Sequence, residues 1–238
     1  MHGRVRRGSL AALAIGLGLL TAGCGALSGT DAEGASAGTS GSPSASASPA
    51  PKPLDAAALL ATTWPAEAHQ LKASAAEVGR PAAVTSLSDP ECGQFLALKD
   101  GASAPVVVTQ GITFKRDTSR GGMIIAAYGS LAEARDAFAR LRETRGVCPF
   151  FSDAGSPNAP VVTLVDRPAP AEGDEALAFA LAVDVPGQRD TQTEEHVVAR
   201  VGAVIIDFRK MSSGDKDYRE VPTFFMSGQV TKLVQAQR

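Results

Sequence analysis

Residues 25–53 are almost entirely Gly, Ala, Ser, Thr and Pro, as in the run Gly34-Ala35-Ser36-Ala37-Gly38-Thr39-Ser40-Gly41-Ser42-Pro43. No apolar period runs through them, so they bury too little surface to offset the entropy of ordering a chain. Any fold must therefore be built from the roughly 185 residues that begin at Leu54, a length that suits one domain with a substantial core. No internal repeat divides that stretch. Residues 25–53 read as a flexible tether with a root-mean-square reach of about 30 Å. Their Ser/Thr and interleaved Pro also suit O-glycosylation.

What precedes the tether explains why a tether is there. Arg4, Arg6 and Arg7 stand in a head without acids, and Leu10 to Leu20 form an apolar run broken only by Gly. The run is shorter than the roughly 20 apolar residues a membrane-spanning helix needs. A basic head and a short apolar run describe a secretory signal peptide over residues 1–23. Its end, Leu19-Leu20-Thr21-Ala22-Gly23-Cys24, resembles the lipobox of bacterial lipoproteins, although Thr21 stands where that family usually has Leu. The resemblance implies that the Cys24 thiol takes a diacylglycerol, with acyl chains such as palmitate, and that cleavage makes Cys24 the new N-terminus. The alternatives are an ordinary signal peptide with a chance cysteine, or a short membrane anchor. Arg6-Arg7 also resembles a twin-arginine export signal, but Ser9 sits where an aromatic is expected.

Charge and cysteine count fit an exported domain. The chain has 23 Lys+Arg and 25 Asp+Glu; loss of residues 1–23 removes three arginines and no acid, leaving 20 against 25, a net charge of −5. A mildly acidic domain has no electrostatic reason to lie flat on an anionic membrane, and it lacks the basic surplus that nucleic-acid binding requires. Of the three cysteines, lipid on Cys24 would leave Cys92 and Cys148 as a pair. Outside the cytoplasm a structural disulfide is expected of them; two buried thiols are the alternative.

Periodicity predicts an α+β domain over residues 54–238. Leu54 to Ala61 and Ala66 to Val78 are Ala-rich and helical in propensity, broken at Trp64-Pro65. Asp89-Pro90 marks a turn before a short helix, Cys92 to Leu98. Val106 to Arg116 and Met123 to Tyr128 read as paired strands around a Thr118–Gly122 turn. Ser130 with Glu133 makes a capping box, and Leu131, Ala134, Phe138 and Leu141 then recur at helical spacing up to Gly146. Val161–Val165, Ala176–Val185 and a long His196–Phe208 segment are further strands. Asp215 to Glu220 is charged, and Val221 to Gln237 is a final helix with Met226, Val230, Leu233 and Val234 in its stripe. The expected architecture is a single antiparallel sheet of about five to six strands, helices packed on one face, and one disulfide.

Catalytic patterns are scarce. His69 and His196 belong to no ligand motif and read as surface histidines, and no Gly-x-Ser-x-Gly elbow places a nucleophile. Asp184, Asp190, Glu194 and Glu195 gather around one loop, but not with calcium-loop spacing, and read as a solvated loop. Lys115, Arg116 and Arg120 make a basic hairpin, read as a soluble turn rather than a contact for an anionic polymer. No metal or cofactor is expected. Asp184 with Glu195 is the one carboxylate pair worth testing for hydrolysis of an envelope polymer.

The strand ending near Tyr128, the run Ser130-Leu131-Ala132-Glu133-Ala134-Arg135-Asp136-Ala137-Phe138, the Cys148 that follows the helix, and the upstream Asp89-Pro90-Glu91-Cys92 together resemble a known group. They are similar to the extracellular sensor domains of mycobacterial serine/threonine protein kinases and to related actinobacterial lipoproteins, over about residues 85 to 238. The resemblance implies an antiparallel sheet with flanking helices around a cleft, and a sensing or binding role without catalysis. Those domains typically carry two disulfides, whereas this chain can form one. It has no kinase sequence and no spanning helix, so any sensing is expected to need a partner. The expected function is a non-catalytic binding domain held by lipid on the outer face of the cytoplasmic membrane. Its ligand would be a small molecule, an envelope component or a protein. A structural role in an envelope complex is the alternative, and hydrolysis of an envelope polymer comes third.

Overall fold

The computed structural model describes residues 50–82, 87–152, 154, 159–187, 191–213 and 220–238. The signal segment, Cys24, most of the tether, Asp190 and most of the charged 215–220 segment lie outside the described residues. The elements run α1 (Ala56–Thr62), β1 (Leu71–Ala73), β2 (Glu77–Val78), α2 (Pro90–Lys99), β3 (Val106–Phe114), β4 (Arg120–Ala127), α3 (Leu131–Val147), β5 (Phe150–Ser152), β6 (Val161–Arg167), β7 (Glu175–Asp184), β8 (Gln192–Val201), β9 (Val204–Ser213) and α4 (Thr223–Ala236).

The fold is α+β with one antiparallel sheet, as expected, but the sheet has nine strands rather than five to six, in the order β1-β3-β4-β9-β8-β7-β6-β5 with β2 also on β3. Two differences account for most of the excess. First, Ala66–Val78 is not helical: β1 and β2 lie end to end along the outer edge of β3, through pairs such as Leu71 with Phe114 and Val78 with Val108. Alanine's helical preference is worth only tenths of a kcal/mol per residue, whereas an unpaired edge on β3 leaves a row of backbone groups open. The Gln110 side chain reinforces the extended path by accepting from Trp64 N and donating to the Trp64 and Ser74 carbonyls. Second, His196–Phe208 is not one strand. A two-residue turn at Gly202-Ala203 folds β8 back onto β9, with Val201 opposite Val204. Gly202 has φ +58° and Ala203 a negative φ, the pattern of a type II′ hairpin turn, which calls for Gly at the first position.

Helices pack on both faces of the sheet, not on one. Alternation along each strand sends Val108, Ile125, Val197 and Ile206 to one face, where they meet Leu59 of α1 and Phe225, Met226 and Leu233 of α4. Val107, Ile124, Val198 and Ile205 point the other way, toward Phe95 of α2 and Phe138 and Leu141 of α3. The period of two makes this unavoidable: central strands with apolar residues on both faces need cover on both sides. Phe225 centres the first layer, with Phe208 at 5.3 Å and Phe114 at 5.5 Å between ring centroids.

The capping box expected at Ser130 and Glu133 is present, and Asp89, expected only to mark a turn, caps α2. Asp89 accepts from the Glu91 and Cys92 amides at the start of α2, with Pro90 as first helical residue. Ser130 accepts from Glu133 N, and the Glu133 carboxylate accepts from Gly129 N. Cys92 of α2 and Cys148 at the end of α3 are disulfide-bonded, both fully buried. The chain is fastened before Leu54, since Lys52 N donates to the Gln237 carbonyl. No helix among the described residues is long and apolar enough to cross a membrane.

Candidate functional site

Strand register lays polar side chains in rows across the face that α2 and α3 cover. One row runs Gly122, Arg209, His196, Phe179 across β4, β9, β8 and β7. The next row toward the sheet end runs Met211, Glu194, Leu181, and Arg120 stands level with it, one residue beyond the Gly121–Lys210 pair. Asp207 lies one row on the other side, opposite Ile124 and Val198. The β8–β9 hairpin therefore presents Glu194, His196, Asp207 and Arg209 together.

The centre of this group is deeply buried. His196 is 1% exposed, Asp207 0% and Lys99, reaching in from the end of α2, 5%. His196 Nδ1 lies 2.9 and 3.2 Å from the two Asp207 carboxylate oxygens. Lys99 Nζ donates to Asp207 Oδ2 at 3.3 Å and to Asp100 Oδ1 at 2.6 Å. The imidazole stacks on Phe179 at 4.8 Å between centroids, and Arg145 of α3 sits over the far ring. Among the described residues His196 Nε2 has no hydrogen-bond partner and faces Glu194 Oε1 at 3.7 Å; Arg209 is 3.9 Å from the same oxygen.

These contacts set the protonation states. Burial pushes the His196 pKa down, but the Asp207 charge and hydrogen bond, and the Glu194 carboxylate, outweigh it and hold the group above 6.5. A neutral ring would turn the bare Nε2 lone pair toward a carboxylate, which is the physical reason the imidazolium is favoured. Burial raises Asp207, but His196, Lys99 and Arg209 bring it down to about 2. Glu194 is likewise lowered, its desolvation outweighed by His196 and Arg209.

The stability contribution of His196 is thus fully present below pH 6.5 and is lost as pH rises through its raised folded value. Asp207 and Glu194 act with opposite sign. Their contributions are present above the ordinary 3.8 and 4.5 and are lost as pH falls, for Asp207 toward about 2. The urea midpoint is expected to be highest between about pH 4.5 and 6.5 and to fall on either side. His196→Phe should flatten the alkaline limb; an unchanged limb in that variant would refute the assignment.

Where the helices stop covering this face, a cavity of about 480 Å³ opens beside Glu194, lined by Val183, Gln192, Met211 and Ser212 and by the Asp117–Arg120 turn. Its size is that of small-molecule sites. Asp117 holds the turn: Oδ1 accepts from Ser119 N and Oγ, and Oδ2 accepts from Lys210 Nζ at 2.7 Å. That clamp keeps β-branched Thr118 at φ +58°, a conformation such residues seldom adopt.

Several sequence expectations change here. His196 is not a surface histidine but a buried ion partner; strand pairing, invisible in a linear pattern, supplies its carboxylate. His69 is exposed, as read. Asp184 and Glu195 do not form a carboxylate pair. Glu195 sits opposite Ala180, four residues from Asp184 along β7, or roughly 13 Å, too far for a glycosidase dyad. Glu195 is instead forked onto Arg167, and Asp184 accepts from Thr191. Adjacent Glu194 and Glu195 point to opposite faces, and the described residues hold no metal-binding cluster. Of the basic hairpin, Lys115 is tied to Glu67 and the Ala68 carbonyl, while Arg120 lines the cavity. The buried pair left little trace in the sequence: Glu194, Arg200 and Arg209 are polar on the same face of β8 and β9, so His196 and Asp207 do not stand out there.

No protein family matches the sequence, and no curated protein matches it. Among solved structures, the extracellular domain of PknH from Mycobacterium tuberculosis is similar to this chain, at a TM-score of 0.48 and 11% identity, covering 76% of this chain and 90% of that one.

Proposed function

We propose that this chain is an exported lipoprotein, held by lipid on Cys24 at the outer face of the cytoplasmic membrane, whose domain binds a ligand without transforming it. The observation that carries the binding reading is the cavity beside Glu194. Around it the ionisable groups are turned on one another: His196 on Asp207 and Glu194, Asp117 on Lys210. Among the described residues no hydroxyl or thiol hydrogen-bonds to His196, so the imidazole has no nucleophile to activate. The signal layout and the tether after Cys24 support the anchoring.

A second reading, assembly into an envelope complex, has one observation in its favour. The β5–β6 side of the sheet leaves Phe150 (60% exposed), Val161 and Val165 uncovered on one face.

Mass spectrometry of protein extracted from membranes tests both halves of the proposal. The mature chain is expected to begin at acylated Cys24, and Cys24→Ala should release it from the membrane fraction. A small molecule should co-purify and be lost in Met211→Trp, which fills the cavity. A mature N-terminus elsewhere would overturn the anchoring, and a molecule retained in Met211→Trp would place binding outside this cavity.

A further inference from the structure

The charges and hydrogen-bond donors around the cavity restrict what fits in it. Three charged side chains line it. Asp117 is neutralised by Lys210, and Glu194 faces both His196 and Arg209. Arg120 alone, exposed at the end of β4, has a side chain with no hydrogen bond or ion pair to any described residue. Among the described residues, the uncompensated charge of the cavity is therefore a single positive one.

Three of its four hydroxyls are already committed as donors. Thr118 Oγ1 donates to the Asp117 carbonyl, Ser119 Oγ to the Asp117 carboxylate, and Ser212 Oγ to the Thr193 carbonyl. Among the described side chains that line the cavity, the Arg120 guanidinium is the charged donor left open, beside the Gln192 amide and the Thr193 hydroxyl, so an occupant that supplies acceptors is favoured. The apolar part of the lining is Val183, and Met211 left 48% exposed at the level of Arg120. A multiply charged anion is disfavoured, because Asp117 and Glu194, both with lowered pKa, put two ionised carboxylates in the same wall.

We propose that the cavity between the β3–β4 turn and the β8–β9 hairpin takes a small amphipathic monocarboxylate, its carboxylate forked on Arg120 and its hydrocarbon part lying on Met211 and Val183. A guanidinium matches a carboxylate in a two-point hydrogen-bonded geometry, and a thioether surface adapts to hydrocarbons of varied shape. This deepens the binding reading above and rests on it.

The test titrates the full chain, followed by amide chemical shifts, with octanoate, octylamine, 1-octanol and inorganic phosphate. Octanoate is expected to bind saturably, with shifts centred on Arg120, Val183 and Met211. Octylamine and phosphate should bind at least tenfold more weakly. Arg120→Gln, at an exposed position that leaves the fold intact, should weaken octanoate about 10- to 100-fold, as expected for loss of a charge-assisted pair. It should leave 1-octanol unchanged, and an unaltered melting temperature checks the fold. Met211→Ser should weaken octanoate and 1-octanol alike. If Arg120→Gln binds octanoate as tightly as the parent, or octylamine binds better than octanoate, the monocarboxylate assignment falls while the binding reading stands. If none of the three octyl probes binds and no molecule co-purifies with the membrane-extracted protein, both fall.

Discussion

Asp207→Ala is expected to cost roughly 3–5 kcal/mol of folding stability at neutral pH, the usual penalty for removing one partner of a buried ion pair. The Asp207 carboxylate is fully buried and serves two cations at once, His196 through Nδ1 and Lys99 through Nζ. Without it, two cations that are themselves almost wholly buried face each other, with only the partly exposed Asp100 and Glu194 as compensation. Against a total stability of about 5–15 kcal/mol for a typical domain, that loss is a large fraction. It should appear as a lower urea midpoint at an unchanged slope. Replacing the three charges together, as Asp207→Leu, His196→Leu and Lys99→Met, should restore most of the stability, because no buried charge is then left unpaired. A single variant as stable as the parent would mean that water or side-chain rearrangement compensates the two cations.

Removing the disulfide is the second large effect. Cys92→Ala with Cys148→Ala opens a cross-link of sequence separation 56 and should cost about 4 kcal/mol, mainly through the larger entropy of the unfolded chain. The bond ties α2 to the end of α3, the two helices that cover the face carrying His196 and Asp207. Lys99 is the last residue of α2, so loosening this helix also loosens the ion network. The disulfide and Asp207 variants are therefore expected to be non-additive when combined. Urea titrations with and without reductant measure the first effect, and a double-mutant cycle measures the second. A reductant-independent midpoint would show that packing of Phe95 and Phe138 holds the helices without the bond.

Local chemistry was legible in the sequence wherever a short segment carries its own instructions. Ser130 with Glu133 starts a helix because the Ser130 side chain satisfies an amide three residues away. β3 and β7 announce themselves by composition and alternation. Cys92 and Cys148 stand out as the pair left over if Cys24 is lipidated. The Ala66–Val78 segment misleads because weak helical preference yields to an open strand edge that only the folded sheet supplies.

The cluster around His196 belongs to the second class. In a continuous strand, positions 196 and 207 would lie roughly 36 Å apart. The turn at Gly202 brings His196 Nδ1 to 2.9 Å from Asp207 Oδ1, and α2, fastened by Cys92, delivers Lys99 to the same carboxylate. The sequence by itself determined where the capped α3 starts and which residues alternate, since each depends on neighbours along the chain. Only the tertiary structure decided that His196 is buried against Asp207, that Asp184 and Glu195 are kept apart, and that Arg120 borders a cavity. Each of those depends on which strand lies beside which, and strand pairing is settled by the whole sheet at once.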